Sequence, residues 1–358
     1  MNTPRTMRAM ALMELGGPHH IADTSLPVPE PAEDEVLIRV RTVAVNHQDL
    51  FTMSGRAHMA NLSFPHVMGI DPSGVVAGYG SRVTSLAIGR RVVVKPPIAC
   101  DACEFCARGE DDSCPSLHNV GVHRWGGHAE YVTVPERSVF RIPSGLSHAK
   151  ATALAHSFPV AEQMFTRVGL TGDDVVVVAG ASGAIGSAAV QLARLAGAFV
   201  IGAAGSPDRA ARAAVAGADV TVDYTAEPDF AGRIRGIVPD GVTVFLDPAS
   251  NPEVWKEVLK TLRNRARVVV CGSHAGPMVQ LNNNWLFRSR VAIYGSAGST
   301  RRGMRRCLDL AGAGRVDPAI DSVRPLGNIR EAYADLGSRR NVGKIVLRVT
   351  SGEGPEGG

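Results

Sequence analysis

Four cysteines, Cys100, Cys103, Cys106 and Cys114, fall within fifteen residues in the spacing C-x2-C-x2-C-x7-C. Four thiolates so close in sequence can complete a tetrahedral shell around one Zn²⁺, leaving no open position for water or substrate, so zinc bound here is expected to be structural. An iron–sulfur cluster is the competing metal, because four thiolates hold those as well. Left without metal, the same residues would crowd four soft nucleophiles onto a polar loop.

A second stretch with a chemical purpose is Asp173–Gly197, DDVVVVAGASGAIGSAAVQLARLAG. Val175–Val178 read as a buried strand, Gly180, Gly183 and Gly186 as a tight turn that includes Ser182, and the Ala/Leu-rich continuation as a helix. The glycines let the backbone turn sharply and approach a pyrophosphate closely. The free N–H groups at the helix start, near Ala184 and Ile185, supply positive potential for it.

The elements that must position these residues divide the chain. From Met7 to about Ala155 the segments MRAMALMEL, EVLIRVRTVAVN, SGVVAGYG, RRVVVKP, HAEYVTVP and SVFRIP alternate between Gly and Pro breaks, which predicts a small β-rich domain. From about Ser157 to Ser296, VVVVAG, FVIGAA, VTVDY, VTVFLD, ARVVVCGS and VAIYGS are strand candidates separated by helical stretches such as NPEVWKEVLKTLR. That alternation predicts a doubly wound parallel sheet with a cofactor across its carboxyl edge. A helix over roughly Arg301 to Ala313 and an isolated strand GKIVLRV follow, and the tail SGEGPEGG is expected to be disordered.

Composition excludes some functions. A net charge of +4 over 358 residues is too weak to argue for nucleic acid, and RRGMRR at 301–306 reads as a solvated helix face. No window of about 18 uninterrupted apolar residues argues for a membrane span, and the N-terminus lacks the apolar core of a signal peptide, so the expected location is cytoplasmic. Cys271 and Cys307 stand apart and read as ordinary buried thiols.

The cysteine cluster followed by the glycine turn resembles the medium-chain dehydrogenase/reductase superfamily, in particular its zinc-containing alcohol dehydrogenase branch. PHVMGIDPSGVV, GRRVVV, GGHAEYV, VRPL and GKIVL carry the likeness, which runs from about Met7 to Val349. The resemblance implies an α/β fold: a GroES-like catalytic domain over 1–156 with a zinc lobe at about 95–116, a Rossmann domain over 157–298, a segment 299–350 that rejoins the first domain, and a tail 351–358. It also implies a homodimer or homotetramer formed partly by edge strands near VAIYGS.

In that family a catalytic zinc is held by a Cys after an early strand, a His in Gly-His-Glu, and a Cys or acid before the Rossmann domain. The matching positions here carry Asn46, Ile70 and His156. An amide, an alkyl chain and one imidazole make no competitive zinc site, so one zinc per chain is expected rather than two. A rearranged centre built from His47, Asp49, His66, Asp71 and His156 is the alternative. Asn46 and Asp49 in VNHQDLFTMSG resemble the Asn-x-x-Asp motif of the zinc-independent quinone oxidoreductases.

Phe51 and Met53 replace the Tyr and Arg common in that branch, and Val160 replaces a usual Thr, so the substrate pocket is expected to be apolar. His156 has two readings, a proton donor to the developing anion or a hydrogen-bonded histidine at a domain hinge. Asp49 is expected to brace Asn46 and its turn; by resemblance, His47 is expected to reach the cofactor pyrophosphate, and Lys344 the cofactor phosphates or the substrate.

The acid that receives an NAD ribose would fall at Ala203, Ala204 or Gly205, and none is present. Ser206, Arg209 and Arg212 can instead hold a 2′-phosphate, with Tyr224 beside it by resemblance, which points to NADP(H). Ser206-Pro207-Asp208 also reads as an ordinary helix start. Gly272, in ARVVVCGS, completes the expected cofactor residues. The function expected is an NADPH-dependent reductase of a small conjugated acceptor, apolar or aromatic: a quinone, an α,β-unsaturated carbonyl or an iminium. An alcohol or carbonyl dehydrogenase with an altered metal site and a non-catalytic NADPH-binding protein are the alternatives.

Overall fold

The computed structural model describes residues 3–56, 62–339 and 341–349, and the tail expected from 351 onward lies outside them. The chain forms two compact units, Met1–His156 with Thr300–Gly358, and Ser157–Ser299.

The first unit opens with β1 (Thr6–Leu12), β2 (Ile21–Pro27) and β3 (Glu35–Ala44), then the short helix α1 (His47–Met53) and strands β4 (His66–Val67), β5 (Ser73–Tyr79) and β6 (Arg91–Val94). Strands β7 (Pro97–Ile98) and β8 (His118–Asn119) pair with each other, and the loop between them carries helix α2 (Glu104–Ala107). After β9 (Tyr131–Pro135) and β10 (Val139–Arg141) comes the long helix α3 (His148–Val168).

β3 is the axis of this unit. Its period of two buries Val36, Ile38 and Val40 in the main core while Arg39 and Arg41 stay partly exposed. One edge pairs with β5 and the other with β9 over Glu35–Arg39.

The second unit runs through β11 (Val175–Ala179), α4 (Ala184–Leu195), β12 (Phe199–Ala204), α5 (Pro207–Val215), β13 (Val220–Asp223), α6 (Phe230–Ile237), β14 (Val242–Asp247), α7 (Pro252–Leu259), β15 (Leu262–Val270), α8 (Asn283–Ser289) and β16 (Ala292–Gly295). The six strands are parallel in the order β13-β12-β11-β14-β15-β16. This is the doubly wound order, with its switch point between β11 and β14. All six residues of β14 are buried, as expected of a strand covered on both faces.

The helix expected over NPEVWKEVLKTLR is shorter than its pattern. It stops at Leu259, and Leu262 already pairs with Val242 as the first residue of β15. Thr261 turns its hydroxyl back to the Val258 carbonyl at 2.7 Å, which closes the helix end. Cys307 is buried as expected, whereas Cys271 is only partly covered.

The chain then returns to the first unit through α9 (Arg301–Gly312), β17 (Ile320–Pro325), α10 (Ile329–Gly337) and β18 (Lys344–Arg348). β18 pairs antiparallel with the end of β3 and parallel with β17, so the C-terminal strand completes the first unit's seven-stranded sheet.

Candidate functional site

The four cysteines come together on the β7–β8 loop, where Cys103 starts α2 and Cys114 follows a short 3-10 turn. Their Sγ atoms all lie within 4.8 Å of one another, with Cys100–Cys106 at 4.0 Å and Cys103–Cys106 at 3.5 Å. A tetrahedron with Zn–S bonds of about 2.3 Å has edges of roughly 3.8 Å, so the cluster fits one zinc ion. Several iron atoms between the thiolates would hold them further apart than this. The N–H of Ala102 pulls the Cys100 thiol down to about 6, whereas burial pushes Cys106 up to about 12.

The lobe is tied to the body by a buried ion pair. Lys95 Nζ lies 3.1 Å from Asp111 Oδ2 and donates to the Pro97 carbonyl at 3.0 Å. Asp111 also accepts the backbone N–H of Arg301, the first residue of α9, at 3.0 Å, and the Arg301 guanidinium meets Asp101 at 2.7 Å.

A second polar cluster is buried in the first unit. Asn46 leaves β3 and starts α1, Asp71 follows β4, and Lys344 opens β18. β18 pairs with β3 so that Val346 lies opposite Ala44, which sets Lys344 opposite Asn46 two residues further along. Lys344 Nζ donates to Asn46 Oδ1, and to Asp71 Oδ2 at 2.9 Å. Asn46 Nδ2 donates to Asp71 Oδ2 at 3.1 Å, and Asp71 Oδ1 accepts the Ala44 N–H at 3.0 Å.

Asp49 accepts the Asn46 N–H at 2.8 Å, the bracing contact expected of it. Its carboxyl is fully buried and is pushed up to about 7, first by burial and next by Asp71. Tyr333, on α10, pulls it back down, although Asp49 Oδ1 and Tyr333 Oη close no hydrogen bond of ordinary geometry. His128 meets Tyr333 edge-on with ring centroids 6.0 Å apart, and burial holds its imidazole down at about 4.

This cluster does not fit a second zinc ion. Ile70 is a buried alkyl chain, and the Asn46 carbonyl oxygen already accepts from an ammonium. Zn²⁺ about 4 Å from that ammonium would be repelled by on the order of 8 kcal/mol at an effective dielectric near 20. Among the described residues, the four cysteines are the one group of three or more His, Cys, Asp and Glu close enough to share an ion. His66 is engaged with the Gly121 carbonyl at 3.1 Å. The His156 imidazole, on α3, is held down at about 4, first by burial and then by Lys344, so it is neutral at physiological pH.

The second unit assembles the glycine turn. Gly180 adopts φ +59°, which an L side chain disfavours, and a Cβ on Gly186 would lie 2.1 Å from the Gly180 carbonyl oxygen. Gly183 N–H donates to that same oxygen at 2.9 Å, and α4 begins at Ala184, leaving Ala184 and Ile185 in its first turn. Ser182 is buried within the turn. Gly272 is needed at the end of β15, because a Cβ there would lie 2.3 Å from the Pro248 carbonyl.

Ser206 caps α5 by accepting the Arg209 N–H at 3.3 Å, and Tyr224, just after β13, packs onto Gly205. Among the described residues neither Arg209 nor Arg212 is in an ion pair. The fold therefore brings Ser206, Arg209 and Tyr224 to one corner of the sheet's carboxyl edge. His47 is the first residue of α1 and half-buried.

Sequence reasoning missed Tyr333 and His128, which lie far from Asn46 in the chain and carry no motif. It also missed Asp223, which stands opposite Ala204 in register with Oδ1 accepting the Thr225 hydroxyl at 2.7 Å. Asp247 closes β14 and accepts the N–H groups of Ala249 and Ser250, each at 2.9 Å. Its place at a strand's carboxyl end was a signal available in VTVFLD.

Comparison with known proteins agrees with this architecture. Residues 32–144 match the alcohol dehydrogenase GroES-like domain, and residues 184–313 match the zinc-binding dehydrogenase family. A crystal structure of an NAD-dependent alcohol dehydrogenase is 36% identical, covers 96% of this chain and 100% of its own, and superposes with a TM-score of 0.92. The NAD-dependent alcohol dehydrogenase of Sulfolobus acidocaldarius is 29% identical, covering 96% of this chain and 100% of its own. The acryloyl-coenzyme A reductase of Sulfurisphaera tokodaii is 26% identical, covering 90% and 95%.

Proposed function

The chain belongs to the medium-chain dehydrogenase/reductase superfamily of oxidoreductases, and from that membership we propose an NADPH-dependent reductase that delivers hydride to a conjugated acceptor without a catalytic metal. The observation that carries this reading is the buried cluster itself, in which Asn46 is held by Lys344 and Asp71 where the zinc-dependent relatives would need a thiolate. Without a Lewis acid, reduction of a simple ketone loses its main source of charge stabilisation. Hydride addition to a quinone, an α,β-unsaturated carbonyl or an iminium is less demanding, because the charge is delocalised or already neutralised and hydrogen bonds can meet it. The acryloyl-coenzyme A reductase among the relatives extends the acceptor class to unsaturated thioesters.

When bound, the nicotinamide supplies the hydride. The chain's residues do the rest. The Gly180–Gly186 turn and the start of α4 hold the pyrophosphate, and Gly272 keeps the strand end clear for the cofactor. Ser206, Arg209 and Tyr224 hold the 2′-phosphate. Hydride arriving at the β-carbon of an enone would shift the C=C pair into the bond between the α-carbon and the carbonyl carbon and the C=O pair onto oxygen, and hydrogen-bond donors of the Asn46 cluster would meet that enolate. A proton from water then returns to the α-carbon. His156, neutral at physiological pH, takes part as a hydrogen-bonding imidazole. Cys100, Cys103, Cys106 and Cys114 hold one structural zinc. Assembly as a homodimer uses the edge strand β16, where Ile293 is exposed.

The alcohol dehydrogenase relatives favour a second reading, a carbonyl or alcohol dehydrogenase. Metal content and 4-deuterated NADPH separate the two. One zinc per chain and deuterium at the β-carbon of an enone support the proposal. Two zinc ions per chain, with turnover abolished by a chelator and deuterium delivered to a simple ketone, overturn it.

A further inference from the structure

The Lys344 ammonium is buried between Asn46 and Asp71. An ammonium carries three N–H donors. Two are placed, on Asn46 Oδ1 and Asp71 Oδ2, and the third has no partner among the described residues. A buried lysine at the first residue of a strand is an expensive choice unless the charge is used, because a desolvated ion pair of this kind returns little net stability.

We propose that Lys344 is the electrophile of this site, its ammonium standing in for a catalytic metal ion and offering its third N–H to the oxyanion that forms as hydride arrives. This rests on the reading of a metal-free reductase and deepens it. The position suits the task. Asn46 and Asp71 fix the ammonium from two sides, so the remaining donor is oriented before reaction, and preorganised donors cost no reorganisation in the transition state. Asp71 is itself anchored by the Ala44 N–H and Asn46 Nδ2, which keeps its carboxylate from swinging toward the substrate.

Three proteins test it: Lys344→Met, Asp71→Asn, and the double variant, which removes the Lys344–Asp71 charge pair together and so does not strand the Asp71 carboxylate. The first readout is independent of turnover. 4-Nitrophenol reports by its visible absorbance whether it binds as phenol or phenolate, and a cationic donor lowers its apparent pKa when bound. Wild type and Asp71→Asn are expected to favour phenolate at least tenfold over the double variant. The second readout is single-turnover hydride transfer from saturating NADPH to menadione and to 2-cyclohexenone. It is expected to fall roughly 10²–10³-fold in both Lys344 variants, the loss typical of deleting an oxyanion donor, while the NADPH dissociation constant changes less than about threefold.

Equal phenolate preference in wild type and the double variant overturns the proposal. So does transfer in the double variant that matches Asp71→Asn, since Lys344 would then merely neutralise Asp71. Weakened NADPH binding with unchanged transfer at saturation also overturns it, making Lys344 a phosphate anchor. If wild type instead transfers no hydride to any conjugated acceptor, the reductase reading fails, and the phenolate measurement still decides the role of Lys344.

Discussion

Tyr224 stands over Gly205: a Cβ built on Gly205 would come within 2.6 Å of the tyrosine Oη and 3.0 Å of Cζ. The ring is rigid and cannot yield that space by rotating its far end. Tyr224 also meets Phe230 edge-on at 6.2 Å, which fixes it from behind. The corner formed with Ser206 and Arg209 is therefore built to a shape, and Arg209 brings its charge without an ion-pair partner among the described residues. Replacing Arg209 with Gln is expected to weaken NADPH roughly tenfold to a hundredfold, the range of a lost charge-assisted bond, and to leave NADH within about twofold. Fluorescence titration with both nucleotides checks this. NADH binding tighter than NADPH in the wild type would turn attention to Asp223, the carboxylate opposite Ala204.

Gly186→Ala is expected to act differently. Its Cβ would sit 2.1 Å from the Gly180 carbonyl oxygen and 2.9 Å from the Ala181 Cα, both backbone atoms, so the turn must open. NADPH and NADH should weaken together, by tenfold or more, with their ratio unchanged. A variant that lost only NADPH would place the 2′-phosphate, not the pyrophosphate, at this turn.

The centre of the second unit was legible because β11, β12 and β14 are buried on both faces. VVVVA is an unbroken apolar run, FVIGAA is broken only by Gly202, and VTVFLD only by Thr243 and its closing Asp247, while the turn between β11 and α4 needs glycine at Gly180 and Gly186. The first unit was less legible. Ile21–Pro27 and Ile320–Pro325 are half-exposed strands whose alternation, IADTSLP and IDSVRP, dilutes the apolar signal. The Asn46 cluster was visible only in part for a different reason. Its members lie after β3 and β4, on α1 and α10, and at the start of β18, and only the pairing of β18 with β3 sets Lys344 opposite Asn46. Tyr333 and His128 follow no spacing rule, since their roles come from packing against Asp49 and Ala44.

The cysteine lobe contains the buried Lys95–Asp111 pair as well as its four thiols. Both partners are almost fully buried, at 1% and 3% side-chain exposure, and burial alone lowers the lysine's affinity for its proton. Removing one partner strands the other charge, so Asp111→Ala is expected to cost about 3–5 kcal/mol. It also frees the first N–H of α9. Cys106→Ser is expected to abolish stoichiometric zinc and to lower the melting temperature, because structural zinc contributes directly to folding. Denaturant unfolding with zinc analysis of both variants checks the pair. An Asp111→Ala protein of wild-type stability would show the ion pair to be dispensable.

Asp49 gives the site a pH dependence whose sign is fixed by its environment. Burial and then Asp71 raise its carboxyl to about 7, against the Asn46 N–H, Tyr333 and Lys344, which favour the charged form. His128 and His156, both held near 4, stay neutral across that range. A carboxyl with a raised folded pKa contributes stability that is fully present below its ordinary value of 3.8 and is lost as pH rises through about 7. The span is on the order of 4 kcal/mol at most. Asp49→Asn, which mimics the protonated group, should therefore unfold with a stability that declines less than that of wild type between about pH 4 and pH 8. Catalysis should follow the same titration. Ionised Asp49 adds a negative charge to the cluster that holds the Lys344 ammonium, which weakens that ammonium as a partner for a developing oxyanion. Single-turnover reduction is expected to slow above about pH 7 in wild type and to stay flat in Asp49→Asn. A variant whose profile still bends at the wild-type pH would assign the titration to another group and leave Asp49 as a brace for Asn46 alone.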